Sequence, residues 1–356
     1  MCLNNFPIGS RAKYNFQNIM ERQPKLIWEQ PDWLKQANDW ILTETARQAI
    51  RITGAIKQSH VYPWSTVMRV PTKEGTLFFK ASTQDVAPEA ALTQALAGWY
   101  PDCMPELVAV DSVRGWMLMR DGGEALRASI RPRQNLAPWR QVISIYSEVQ
   151  IGLAEHVSEL LAMGVPDWRL GTLPARYIQL LENTGSLELA LDGGLPSNDF
   201  RRLQDLAPRF AQICAELAAF GIPETLDHGD FHDGNVLLRN GRVTLFDWGE
   251  GNLTHPFVSL RTFFVSIENS LKLEDYAFTP EMAALLDHYL EPWQRFASKK
   301  DLLAAFALSR CVASIVKTLA WHIGVSGLKG PLRERYAGIV PELLKEFLTY
   351  EKMLPA

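Results

Sequence analysis

The apolar residues of this chain change their spacing along its length. Over about 31–50, Trp33, Leu34, Ala37, Trp40, Ile41, Ala46 and Ile50 recur at roughly helical intervals behind Pro31 and Asp32, which predicts a helix. The stretches ITGAIKQS, STVMRVPT and GTLFFKAS that follow are short, rich in β-branched and aromatic residues, and separated by turn-formers. They predict three adjacent antiparallel strands, with Lys73 to Gly75 turning a hairpin. APEAALTQALAGWY returns to helical spacing. LVAVDS and GWMLMRD read as two more strands joined through Val113 and Arg114. A five-stranded antiparallel sheet carrying one helix is complete near residue 121.

Beyond about residue 138 helical periodicity dominates, over roughly 138–163, 198–220, 256–272, 280–296 and 300–323. One hairpin, NVLLRNGRVTLFDW, interrupts it, and its Asn240-Gly241 pair is a strong tight-turn signal. There is no internal repeat and no low-complexity tract. The expected fold class is α+β and bilobal. An N-terminal arm (1–30) precedes a small β-rich lobe (31–121), a connection (122–137) and a larger, mainly helical lobe (138–356).

Composition narrows the function classes. The chain has 356 residues, enough for one large domain or two, and is 47% hydrophobic and 21% charged, as an ordinary globular enzyme is. A net charge of -4 and a pI near 6.0 offer no basic excess for nucleic acid or an anionic membrane. The four cysteines, Cys2, Cys103, Cys214 and Cys311, form no C-x-x-C pair and no zinc-ligand spacing. No secretory h-region opens the chain and no apolar run reads as long enough to span a bilayer. A cytoplasmic location is the expectation, and the oligomeric state is left open.

The chemistry concentrates in HGDFHDGNVLLRNGRVTLFDWGEG, residues 228–251. It contains H-x-D-x-x-x-x-N as His228, Asp230 and Asn235, with Asp247 at the end of the hairpin. Phosphoryl transfer needs such residues. One carboxylate near the incoming hydroxyl orients it and accepts its proton. A second carboxylate and an amide oxygen supply hard ligands to a Mg²⁺ ion that bridges the phosphates. Asp230 suits the first task, Asn235 and Asp247 the second, and His228 would brace the loop through backbone hydrogen bonds.

HGDFHDGNVLL followed by LFDW resembles the signature of aminoglycoside phosphotransferases and choline-kinase-like enzymes, small-molecule relatives of protein kinases. Protein kinases carry H-R-D and D-F-G instead; here the chain has His-Gly-Asp and Asp-Trp-Gly. The resemblance covers about residues 30–340 in element order, and only 228–251 is specific. It implies a protein-kinase-like fold, ATP or GTP with Mg²⁺, and transfer of the γ-phosphoryl group to a hydroxyl of a small-molecule acceptor. It also implies a strand lysine that meets the nucleotide phosphates and pairs with a helix glutamate. Lys80, ending TLFFK, matches the first, and Glu89, opening EAALTQAL, the second, with Asp85 as competitor. Leu92 and Leu96 would face the core on the same side of that helix as Glu89.

The resemblance has gaps. In place of a glycine-rich phosphate loop stands SHVYPWS, residues 59–65. Hydroxyls of Ser59, Ser65 or Thr66 are candidates to replace it, with His60, Tyr62 and Trp64 as a bulkier lid. The base would be read by backbone around Met117, Met119 and Arg120, with Gly122-Gly123 turning the chain onward. Acceptor contacts are expected among His232, Asp233, Trp248 and Glu250, with His255, Trp321 and His322 as further candidates. Trp248 equally fits a core position and Glu250 a solvated loop acid. Arg261 would brace the loop by an ion pair. Two other readings stay open: a non-catalytic nucleotide-binding pseudokinase, and a nucleotidyl transferase on the same fold.

Overall fold

The computed structural model describes residues 26–83, 85, 88–189 and 194–354. Their contacts separate into two compact units. The described residues of the first are 26–128 and 233–249, and those of the second are 129–232 and 250–354.

The first unit opens on a 3₁₀ turn, Ile27–Glu29, and α1 (Pro31–Arg47). Pro31 occupies the start of α1, where no backbone N–H is needed, and Asp32 complements the positive helix end. The helix stops short of the expected residue 50 because Ala49 turns into the left-handed region at φ 53°. Trp28, at the end of the expected N-terminal arm, is buried and its Nε1–H donates to the Tyr62 carbonyl at 2.8 Å. The arm before residue 26 lies outside the described residues.

Five strands follow in this unit: β1 (Lys57–Val61), β2 (Ser65–Thr72), β3 (Gly75–Ser82), β4 (Leu107–Asp111) and β5 (Trp116–Arg120). They pair antiparallel in the order β1-β2-β3-β5-β4, and α2 (Glu89–Trp99) lies between β3 and β4 in the chain. Strand alternation sorts the side chains onto two faces. Met68, Val70, Leu77, Phe79, Trp116 and Leu118 pack with Ala37 and Ile41 of α1, flanked by Trp33 and Trp40. Burying each large side chain of this kind stabilises by about 1.5–3 kcal/mol. Lys80 stands opposite Val67 and Met117 in the register, so these three share the other face.

The remaining strands are β6 (Glu124–Ala125), β7 (Thr225–Asp227), β8 (Val236–Arg239), β9 (Arg242–Leu245) and β10 (Asn252–Thr254). The predicted hairpin is β8–β9, turned by Asn240 and Gly241 at φ 51° and 82°, and β6 pairs along its other edge. This three-stranded sheet belongs to the first unit although it comes late in the chain. The cause is backbone bonding: the Leu245 N–H donates to the Cys103 carbonyl at 2.8 Å, and Arg242 donates to the carbonyls of Pro101, Asp102 and Met104.

After α3 (Leu126–Ile130), the second unit is mainly helical. Its helices are α4 (Ala137–Leu153), α5 (Val157–Ala162), α6 (Leu173–Glu182), α7 (Ser197–Asp205), α8 (Ala207–Ala218), α9 (Leu260–Leu271), α10 (Pro280–Leu290), α11 (Lys299–Ser326), α12 (Gly330–Tyr336) and α13 (Ile339–Met353). The predicted segments 138–163 and 198–220 are each broken in two, by a 3₁₀ turn at Ala154–His156 and by the Leu206 junction before Pro208. The helices α6 and α13 escape the periodicity reading. β7 and β10 pair as a short antiparallel ribbon among these helices. α11 packs on α13, α8 and α6. Contrary to the sequence expectation, α11 is by length and composition apolar enough to cross a membrane; 61% of its most apolar stretch is buried inside the protein.

Candidate active site

Lys80 sits near the end of β3 with its side chain only 10% exposed. Its Nζ lies 2.6 Å from Glu89 Oε1 and 2.5 Å from Asp247 Oδ1. Burial pulls the ammonium toward losing its proton, and Asp247 and Glu89 overcome that, holding Lys80 well above the ordinary lysine range. Glu89 is buried at the start of α2, where Leu92 and Leu96 share its inward face. Ser82 Oγ donates to Glu89 Oε2 at 2.5 Å, a contact that the sequence reading missed. Asp85, the alternative partner, is exposed.

Asp247 follows β9 in a left-handed conformation at φ 70°, rare for a residue other than glycine. The hairpin register puts Val236 opposite Leu245, and the Phe246 N–H donates to the Asn235 carbonyl at 3.2 Å. Asn235 and Asp247 therefore stand at the same end of the hairpin. Among the described residues no group of three His, Cys, Asp or Glu side chains is arranged to hold a metal ion. A Mg²⁺ ion needs none, because it keeps waters and phosphate oxygens and takes one or two protein ligands. A carboxylate a third exposed and an amide, both hard oxygen donors on one hairpin end, fit that requirement.

In the second unit the ribbon leads straight into the HGD loop. His228 follows β7, is fully buried, and its backbone N–H donates to the Tyr146 hydroxyl at 3.1 Å. Tyr146 also meets Ser259 Oγ at 2.6 Å, and Ser259 donates to Asp227. Gln150, one turn along α4, donates to the Leu226 and Pro256 carbonyls, and Thr225 Oγ1 donates to the Gln150 carbonyl. Phe231 stacks on Tyr146 at 4.0 Å between ring centroids. The loop is thus held by α4 on both its polar and its apolar sides. Gly229 is obligatory here: it adopts φ +75°, and a Cβ would lie 2.2 Å from the Glu250 carbonyl oxygen.

Asp230 emerges from this support nearly buried. Its N–H donates to His228 Nδ1 at 3.3 Å, the bracing role expected of that histidine. Asp230 Oδ2 lies 3.2 Å from His232 Nε2, and Oδ1 accepts from Lys317 Nζ at 3.2 Å. Burial alone would push this carboxyl up. Lys317, His232 and His228 outweigh it and hold Asp230 well below the usual carboxylate range. Lys317 comes from α11 and was missed by the sequence reading, since a lone lysine in SIVKTLAWH has no motif around it.

The other candidates separate. Glu250 stands by the site, accepting from Lys317 at 2.6 Å. Asp233 is buried and pairs with Arg127 at 3.3 Å, while its carbonyl accepts the Arg127 N–H, so it braces the chain rather than facing an acceptor. Trp248 is fully buried with its Nε1–H on the Leu245 carbonyl, the core alternative. His255 is buried and caps the turn at Pro256–Ser259. Arg261 makes two bonds to Glu346 of α13 and so ties helices together, not the HGD loop. His322 on α11 meets Ser186 Oγ at 2.5 Å, and Trp321 packs near Tyr336.

On the first unit, Met117 and Met119 lie inside β5, which has β3 on one edge and β4 on the other. Their backbone groups lie within the ladder; past Arg120, Asp121 Oδ1 accepts the Gly123 N–H. Ser65 begins β2, with its carbonyl accepting the Tyr62 N–H. Thr66 is buried with its hydroxyl on the His60 carbonyl, and Ser59 Oγ donates to the Val67 carbonyl, so both hydroxyls are committed to the sheet. His60, Tyr62 and Trp64 form a continuous stack, with centroid spacings of 6.5 and 6.0 Å.

A five-stranded sheet holding a buried lysine–glutamate pair, and a helical unit presenting an aspartate on an HGD loop, define a kinase-like phosphotransferase. The chain belongs to the phosphotransferase enzyme family (APH), whose sequence pattern matches residues 66–260, more than half its length. Among solved structures it is similar to an ethanolamine kinase from Plasmodium vivax, with a TM-score of 0.62 and 12% identity over 92% of this chain and 90% of that one. It is also similar to the choline kinase LicA from Streptococcus pneumoniae, with a TM-score of 0.55 and 14% identity over 88% and 99% of the two chains. These likenesses are of fold. A curated relative, the glucosamine kinase of Streptacidiphilus jiangxiensis, is 33% identical over 110 residues, covering 26% of this chain and 25% of that protein. The match thus spans about a quarter of the relative's length.

Proposed function

We propose that this protein transfers the γ-phosphoryl group of ATP or GTP, with Mg²⁺, to a hydroxyl of a small molecule. The observation that carries the reading is Lys80 Nζ, buried between Glu89 and Asp247 at 2.6 and 2.5 Å. An ammonium so placed is fixed and charged, ready to meet nucleotide phosphates beside a carboxylate that can take a metal. Bound Mg²⁺, held by Asp247 and Asn235, supplies charge neutralisation for the phosphates. The backbone after Arg120 takes the base in place of Met117 and Met119.

Asp230 orients the acceptor hydroxyl and receives its proton. The acceptor O–H bond breaks, its oxygen bonds to the γ-phosphorus, and the bond from that phosphorus to the bridging oxygen breaks, releasing the nucleoside diphosphate. Because its neighbours favour the ionised form, Asp230 takes the proton late, when the acceptor oxygen is already bonding to phosphorus. His228 and His232 set its orientation, and Glu250 remains the candidate acceptor contact. The likeness to glucosamine, ethanolamine and choline kinases supports an acceptor that carries a hydroxyl near an amine: an amino alcohol, an amino sugar or an aminoglycoside, with neutral sugars as the outer class. Dependence on a nucleoside triphosphate donor supports a cytoplasmic location.

The test is release of nucleoside diphosphate from Mg·ATP or Mg·GTP in the presence of pools of these acceptors, with Asp230→Asn as blank. Stimulation by one pool establishes the activity and its acceptor class. Release of AMP-bearing product and pyrophosphate would instead make the chain a nucleotidyl transferase. Nucleotide binding without turnover in any pool would make it a non-catalytic module.

A further inference from the structure

Lys317 lies in the middle of α11 between Val316 and Thr318, both buried, with its own side chain 11% exposed. A lysine in such a place is destabilising unless its charge and its donors are all met. Here three acceptors surround Nζ: the Gly229 carbonyl at 2.9 Å, Asp230 Oδ1 at 3.2 Å and Glu250 Oε2 at 2.6 Å. The first two belong to the HGD loop and the third to the segment after the hairpin. One ammonium therefore joins two loops at the aspartate proposed as base.

We propose that Lys317 is a positioning residue for phosphoryl transfer: it fixes the Asp230 carboxylate by sharing one ammonium between Asp230 and Glu250. This rests on the reading of Asp230 as the base. The groups around the pair are His228 and His232 from the loop, Glu250, Asp227 at the end of β7, and Arg261 on α9, which is itself paired with Glu346. Asp227, Arg261 and Lys317 line one small cavity with Gly229, Asn252 and Ser259. Remove Lys317 and two carboxylates, Asp230 and Glu250, lose their common cation. Burial and like charge then both favour protonation of Asp230, and the base is lost in a pH range where the wild type keeps it.

The measurement is kcat/KM at pH 5.5 and pH 8 for wild type, Lys317→Met, Lys317→Arg and Glu250→Gln. Lys317→Met is expected to lose at least about 10-fold more at pH 5.5 than at pH 8, relative to wild type, as the raised Asp230 pKa enters that window. Lys317→Arg should restore the wild-type profile. Glu250→Gln, whatever it costs as an acceptor contact, leaves the ammonium against Asp230 and should keep the wild-type ratio between the two pH values. A loss in Lys317→Met that is equal at both pH values overturns the proposal, because a merely structural lysine would act that way. A thermal double-mutant cycle needs no turnover: Lys317→Met should lower Tm more in the wild-type background than in Asp230→Asn. Equal drops in both backgrounds overturn the coupling. If no acceptor pool elicits turnover in the wild type, the proposed function fails separately, and the cycle alone decides whether Lys317 holds Asp230.

Discussion

Each compact unit contains one lysine ammonium between two carboxylates, and the two trios differ in instructive ways. Lys80 reaches Glu89 and Asp247 from a strand at 2.6 and 2.5 Å, and Lys317 reaches Glu250 and Asp230 from a helix at 2.6 and 3.2 Å. In both, carboxylates outweigh burial and hold the ammonium above its ordinary range. The more open member of the first trio is Asp247, 34% exposed, a position from which a carboxylate can take a metal. In the second, Asp230 is 10% exposed and Glu250 25%, so the carboxylate proposed as base is the shielded member. The same arrangement of charges thus suits the two tasks proposed for it. In the proposed function the trio with the open carboxylate anchors phosphate and metal, and the trio with the shielded one sets the protonation and direction of the base.

The largest expected effect separates these tasks. Asp230→Asn should lower kcat on the order of 10²-fold or more, while nucleotide affinity, read by calorimetry, stays near wild type. Full activity in that variant would remove Asp230 from the chemistry. Asp247→Ala should act on the other side, abolishing the Mg²⁺-dependent part of nucleotide binding; unchanged Mg²⁺ dependence would end the assignment of the first trio to the donor. Gly229→Ala tests whether the second trio depends on its loop geometry. A left-handed alanine costs roughly 1–2 kcal/mol, and its Cβ meets the Glu250 carbonyl, so both Tm and kcat should fall while Mg·nucleotide binding is spared.

The smallest effect lies away from both trios. Burial, with Asp275 and Glu346, pushes Glu268 up to about 7. The folded state therefore binds this proton more tightly than the unfolded chain, whose carboxyl titrates near 4.5. The associated stability is complete below pH 4.5 and is lost as pH rises through about 7. Glu268→Gln should raise Tm slightly at pH 8 and lose that advantage toward pH 5. An increment that is the same at both pH values would show that Glu268 is not protonated in the folded protein.

Much of the first unit was legible because its signals are local. Alternation in STVMRVPT and GTLFFKAS places every second residue on the α1 face, and Lys80 is conspicuous as a charge off that face. The Asn240-Gly241 turn and the H-x-D-x-x-x-x-N spacing are likewise short-range. Other residues misled for the same reason. Asp233 and Trp248 lie within the motif, yet one pairs with Arg127 and the other fills the core. Met117 and Met119 were placed at a connection, and the pairing of both edges of β5 withdrew their backbone.

The sequence by itself determined the elements of the five-stranded sheet, the β8–β9 hairpin, the candidacy of Asp230, Asn235 and Asp247, and the family resemblance, because each is written in residues close together in the chain. Only the tertiary structure decided that residues 233–249 join the first unit, that Arg261 serves α13, and that Lys317 stands at Asp230. Lys317 is separated from Asp230 by 87 residues and from Glu250 by 67. Over such distances no periodicity links the partners. The pairing is chosen by where α11 packs and by the requirement that a buried ammonium meet carboxylates.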